Sequence, residues 1–210
     1  MALCVCIVLF LFGGTKTEKR KKTILRLCES SIMIALAIVL SMIKFANLPF
    51  GGSVTLCSML PLVLIAYRYK WKWGLLTGVV YGLVQMVLGA NNLSYGTSAL
   101  AVILIILFDY LVAFGVMGFA GIFRDKFHNQ PLEIALGAFV ACALRYICHF
   151  ISGWAVWKMW APEGQPAWLY SVTYNATYMV PETIVTIVVG VLIALVLDFR
   201  KDTVGALKRA

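Results

Sequence analysis

Residues 98–122 read "SALAVILIILFDYLVAFGVMGFAGI", a long apolar run with a single charge, Asp109. A helix of roughly 20 such residues crosses the hydrocarbon layer of a bilayer. In lipid, only helices and closed barrels satisfy every backbone polar group. Further apolar stretches follow the same logic. Spans are predicted at 24–43, 54–67, 73–89, 98–122, 132–157 and 170–197, the second of them short enough to be tilted, irregular or only partly spanning. With 62% hydrophobic and 13% charged residues, the 210-residue chain lacks the polar surface of a soluble domain. The expected fold is an all-α integral membrane protein, a six-transmembrane-helix bundle. Residues 1–18 form a poorly defined apolar and basic tail and 19–210 a single membrane domain. The opening "MALCVCIVLFLF" is too short to span and lacks the charged start and A-x-A-like cleavage site of a signal peptide.

The net charge of +9 is distributed by side. Fifteen of the 18 Lys and Arg residues fall before the first span (with Arg26 at its edge), in the second–third and fourth–fifth connections, or in the tail. Lys44 and Lys158 lie on the other side and Arg145 lies within a span. By the positive-inside rule both termini are cytoplasmic. The basic bias is therefore topological, with attraction to anionic lipid as a second consequence; no nucleic-acid partner is expected. The six cysteines have no zinc-site spacing and read as small apolar residues. No metal or cofactor is expected.

Gly74, Gly78 and Gly82 repeat every four residues, as do Ser31/Ala35 and Ala37/Ser41. Such stripes let helices approach closely. They serve packing within the bundle or, for the first-span set, docking of another membrane protein.

Asp109, Arg145 and Glu182 lie inside spans, all roughly 16–18 Å below the outer surface at 1.5 Å per residue. Charges at that depth are costly and usually belong to a site or a well-paired knot. Arg145, His149, Gly153 and Trp157 step by four along one helix face. Asn175 and Glu182 are seven apart, flanked by Tyr174 and Tyr178, and Pro181 is expected to kink or open that helix. Tyr110 adjoins Asp109. Together they outline an outward-opening cavity with a carboxylate floor and aromatic walls, suited to a flat, cationic, hydrogen-bonding small molecule. Taken singly, His149 and Asn175 could be packing residues and Arg145–Asp109 a structural pair.

The runs "LFDYLVAFGVMGFAG" (107–121), "LRYICHFISGWAVW" (144–157) and "WLYSVTYNATYMVPE" (168–182) resemble the thiamine-specific S-components of energy-coupling factor (ECF) vitamin transporters. The resemblance covers roughly residues 20–200. It implies a high-affinity thiamine-binding membrane subunit that works with a transmembrane coupling protein and two ATPase subunits. It further implies thiamine contacts at Asp109, Tyr110, His149, Trp157, Tyr170 and Asn175. Two departures stand out. Some members carry a longer glutamate where Asp109 stands, and the first external loop here lacks the family's tryptophan, leaving Phe45 and Phe50, of which Phe50 is the candidate substitute. Partner docking would fall on Ser31, Ala35, Ala37 and Ser41.

An S-component for another flat cationic or aromatic vitamin is the alternative within the family, and two other classes compete. An intramembrane enzyme would need more than His149 and Ser152, and no G-x-S-G or H-E-x-x-H motif occurs. An ion-coupled secondary transporter would use Asp109 and Glu182 as ion sites. "GGTKT" is not a P-loop, so the chain is not itself an ATPase.

Overall fold

The structure is a computed structural model that describes residues 17–48, 52–201 and 204–206. Helix α1 (Thr17–Met42) leads into an antiparallel hairpin of β1 (Lys44–Asn47) and β2 (Ser53–Thr55), with Ala46 opposite Val54. Helix α2 (Leu60–Leu88) follows, then a 3-10 turn, Ala90–Tyr95. Residues Ala99–Gly121 form one helical rod of changing pitch. It starts as α3 (Ala99–Ile105), loosens to a π-helix over Ile106–Leu111, returns to α4 (Val112–Gly115) and tightens to 3-10 over Val116–Gly121. Helix α5 (Gln130–Ala155), the 3-10 turn Trp157–Trp160, helix α6 (Ala167–Val196) and the paired strands β3 (Leu197–Asp198) and β4 (Gly205–Ala206) complete the order.

Local chemistry sets the starts of two helices. The Ser98 side chain accepts a hydrogen bond from the Ala101 amide at the head of the rod, and Asn129 accepts from Leu132 with a proline in the first turn of α5. Both occupy orphan donors at helix N-termini.

Among the described residues, four helices are long and apolar enough to cross a membrane: α1 from Lys19, the Ala99–Gly121 rod, α5 and α6. Helix α2 is different because the run "RYKWKW" interrupts its apolar character. The chain breaks there, with Lys70 at φ 68°, ψ 164°, a conformation costly for a residue with a Cβ. The expected second and third spans are thus the two arms of α2, joined without a loop. The first arm departs most from expectation. Residues 54–59 are strand and turn, and the helix from Leu60 to Arg68 is buried throughout. About nine residues reach only ~14 Å, so this arm is an interior helix sheltered by the bundle.

The glycine stripe packs inward. A Cβ on Gly78 would collide with the Phe114 carbonyl oxygen, and one on Gly82 would lie 2.6 Å from the Tyr110 oxygen. The second arm of α2 therefore rests directly on the backbone of the rod. Exposed apolar residues such as Ile103, Leu107, Phe139, Ile147, Ile184 and Leu192 ring the outside, a surface suited to acyl chains.

The first-span stripe divides. Ala37 is fully buried, and Ser41 accepts from Gln85 Nε2 at 2.9 Å. Ser31 and Ala35 are exposed. Burial removes Ala37 from any outer docking face, because a partner helix cannot touch it without opening the bundle.

At the opposite end from the hairpin, Glu133 is fully buried. It accepts from Tyr67 Oη, from Arg200 Nη2 at 2.8 Å and from the Phe127 amide at 2.7 Å. Desolvation would lower the Arg200 pKa, but its hydrogen bonds to Glu133 and Tyr67 outweigh that and hold it above its ordinary value. Gln130 Nε2 donates to the carbonyls of Ala194 and Leu197, near the end of α6. Cys57, Cys142 and Cys148 are buried free thiols and Cys28 is an exposed one. Cys4 and Cys6 lie outside the described residues.

Candidate ligand-binding site

A cavity of about 510 Å³ opens between the hairpin, α2, the rod, α5 and α6. That size falls in the range of small-molecule sites. Asp109 sits on the π-helical stretch. An extra residue per turn re-aims side chains, which is why such stretches recur at functional sites. Here the two adjacent residues find different neighbours. Asp109 accepts from Ser152 Oγ at 2.7 Å and Trp157 Nε1 at 3.3 Å, and lies 3.1 Å from His149 Nδ1. Tyr110 turns to the α2 end, donating to the Gly89 carbonyl at 3.0 Å and accepting from Asn92 Nδ2 at 3.2 Å.

His149 lines the cavity, and its Nε2 is buried with no hydrogen-bond partner among the described residues. A buried unmatched imidazole nitrogen costs stability unless something else occupies it. Asn175 is held by its own helix, its amide donating to the Ser171 carbonyl at 2.8 Å and its Oδ1 accepting from Tyr178 Oη at 2.7 Å. It also lies 3.3 Å from the His149 carbonyl. Both packing and lining describe it. Gly153 makes that crossing possible, since a Cβ there would strike Ser171 Oγ.

Tyr170, Tyr174 and Tyr178 form a ladder on α6, with ring centroids 5.7 Å and 5.8 Å apart. The Gly52 amide donates to Tyr174 Oη at 3.1 Å, so the hairpin rests on this ladder. Trp157 packs against Tyr95 at 5.4 Å. The sequence reading did not mark Tyr95, because a 3-10 turn offers no periodicity to follow.

Deeper in, Arg145 pairs with Glu182 at 3.7 Å and stacks over Phe114 at 4.9 Å. Glu182 also accepts from Thr55 Oγ1 at 2.6 Å and Ser58 Oγ at 3.0 Å. The three charges expected at one level do line one cavity, but Arg145 neutralises Glu182 and not Asp109. Among the described residues Asp109 has no Lys or Arg partner. Lys44 reaches the lining from the exposed hairpin, where solvent screens it.

Asp109, Tyr110, His149, Trp157, Tyr170 and Asn175 all line this cavity. Phe50 lies outside the described residues. Of the docking set, Ser41 also lines the cavity, so that helix face is not separate from the site. Helix α6 continues through Pro181, where a kink or a local opening was expected.

Residues 27–201 match the family described as Thiamine transporter protein (Thia_YuaJ), a stretch that contains every residue lining the cavity. The chain belongs to the thiamine transporter protein family. Two curated members are similar over most of their length. Thiamine transporter ThiT of Bacillus subtilis (strain 168) is 36% identical over 181 residues, covering 81% of this chain and 90% of that protein. Thiamine transporter ThiT of Lacticaseibacillus paracasei is 27% identical over 187 residues, covering 83% and 90% respectively. A solved structure of ThiT from Listeria monocytogenes aligns with a TM-score of 0.68 at 22% identity, covering 82% of this chain and 94% of that one. That last likeness establishes a shared membrane fold between this family member and the Listeria protein.

Proposed function

We propose that the chain is the thiamine-binding S-component of an ECF-type transporter, a multi-pass protein of the bacterial cell membrane. The observation that carries this reading is Asp109: a carboxylate with no Lys or Arg partner among the described residues, in an aromatic-walled cavity beside a buried His149 Nε2 that has no hydrogen-bond partner among them. Thiamine offers a cationic thiazolium to the carboxylate and an aminopyrimidine that both donates and accepts hydrogen bonds. Asp109 is the anionic contact, His149 and Asn175 supply polar contacts, and Trp157, Tyr170 and Tyr110 supply faces or edges. With Arg145 and Glu182 compensating each other, the uncompensated charge favours a cation.

The bundle crosses the membrane six times with both ends inside. Its second crossing is made by β2 and the turn above and the buried first arm of α2 below. The hairpin covers the outer mouth. Uptake is powered by a transmembrane coupling protein and two ATPase subunits, the chain itself hydrolysing nothing. Ser31 and Ala35 are the candidate contacts to the coupling protein.

The test is a thiamine titration of the purified chain alone, followed by tryptophan fluorescence, together with mass spectrometry of small molecules released by heat. Saturable quenching by thiamine is expected. Release of a different vitamin, or no response to thiamine, would refute the reading.

A further inference from the structure

We infer that the face opposite the hairpin carries a site for the phosphate of an anionic phospholipid headgroup. A second pocket, of about 430 Å³, lies where α1, the break in α2, the segment after the rod and the segment after α6 converge. Apart from Leu25 and Tyr69, every residue lining it is Lys or Arg. Five of these have carboxylate partners: Arg68 with Glu29, Lys70 and Arg124 with Asp125, Arg200 with Glu133, and Lys201 with Asp198. None of these carboxylates lines the pocket, so every charged side chain in its lining is basic.

Arg26 points to the ligand. Its guanidinium carbon lies 5.1 Å from the rings of both Tyr69 and Trp73. Its Nε is buried and has no hydrogen-bond acceptor among the described residues. A guanidinium steadied by two aromatic faces, with an N–H lacking an acceptor, is prepared for an oxyanion, and phosphate suits arginine geometry. Basic pockets between helices at the cytoplasmic interface recognise lipid headgroups on the same grounds.

The surroundings favour a lipid over an ion or peptide from water. Leu25 opens into the pocket and is 44% exposed. Ile32 and Leu36, seven and eleven residues further along α1, are 66% and 45% exposed on the same helical face. They form an apolar track from the pocket into the bilayer, which an acyl chain can follow and a soluble anion has no use for.

The test titrates the full chain in detergent with dioleoyl-phosphatidylglycerol or dioleoyl-phosphatidylcholine and counts retained lipids by native mass spectrometry. The wild type should retain one phosphatidylglycerol in preference to phosphatidylcholine. Lys21→Gln/Lys22→Gln, whose parent side chains are exposed and leave the fold intact, should cut that preference roughly 10- to 30-fold at about one kcal/mol per charge. Arg26→Gln should cut it separately. Equal retention of the two lipids by the wild type, or an unchanged preference in both variants, would overturn the inference. So would displacement of phosphatidylglycerol by millimolar inorganic phosphate, which would assign the pocket to a soluble anion. Binding of a polyglutamate peptide without lipid preference would assign it to a protein partner and overturn it equally.

Discussion

Among the described residues, the hydrogen-bond partners of Asp109 come from α5 and the turn that follows it: His149, Ser152 and Trp157. A cation held by this carboxylate depends on its charge more than its shape. Asp109→Asn should therefore weaken thiamine binding by roughly 1–3 kcal/mol, the range for a hydrogen bond to a charged group, measured by fluorescence titration of the folded variant. Unchanged affinity would exclude Asp109 from the contact. The reporter itself can be assigned. Trp157 lines the cavity, whereas Trp154 and Trp168 are 55% and 53% exposed on the outside. In single-tryptophan variants, Trp157 should be quenched by thiamine and Trp168 should not. Quenching confined to Trp168 would mean that the signal reports hairpin movement.

At the scale of elements, close packing decides which small residues matter. Gly78 meets the Phe114 carbonyl and the Gly115 backbone across the α2–rod contact. Rigid backbone cannot yield to a side chain as another side chain would. Gly78→Leu should abolish folding or lower the apparent melting temperature sharply, by an amount typical of overpacking, roughly 1–3 kcal/mol or more. Helix α1 supplies the contrasting case. Ala37→Trp, at a fully buried position, should damage folding and thiamine binding together. Ala35→Trp, at an exposed position, should leave binding by the isolated chain near normal and abolish ATP-driven uptake in vesicles containing the energy-coupling module. Normal uptake by Ala35→Trp would remove the docking role.

Across the whole molecule, the two ends are built differently. The end that carries the hairpin is an aromatic and hydrogen-bonded cavity, with Glu182 tying Thr55 and Ser58 to α6. The other end is a polar clasp. Glu133 joins α2, α5, the loop before α5 and the tail through Tyr67, Phe127 and Arg200. Removing a buried charge that satisfies several donors leaves those donors unpaired. Glu133→Ala should cost about 3–5 kcal/mol, read as a lower apparent melting temperature in detergent. Glu133→Gln, which keeps an acceptor, should cost less. A wild-type melting profile for Glu133→Ala would show that the clasp contributes nothing.

Apolar length and the placement of basic residues were sufficient to identify a membrane bundle, because a helix in lipid must be long and its flanks must be charged. Four-residue and seven-residue spacing on single helices was also legible, since helix geometry makes such residues neighbours; hence Arg145, His149 and Trp157 meet along α5 and its end. What one helix does to the next was not legible. The break at Lys70, the interior first arm of α2, the π-helical turn that separates Asp109 from Tyr110, and the choice of Glu182 over Asp109 as the partner of Arg145 all arise from contacts between segments far apart in the chain. Hydropathy is the same for a helix facing lipid and one facing other helices, so only the tertiary structure decided which face of α1 is buried and which carboxylate Arg145 pairs with.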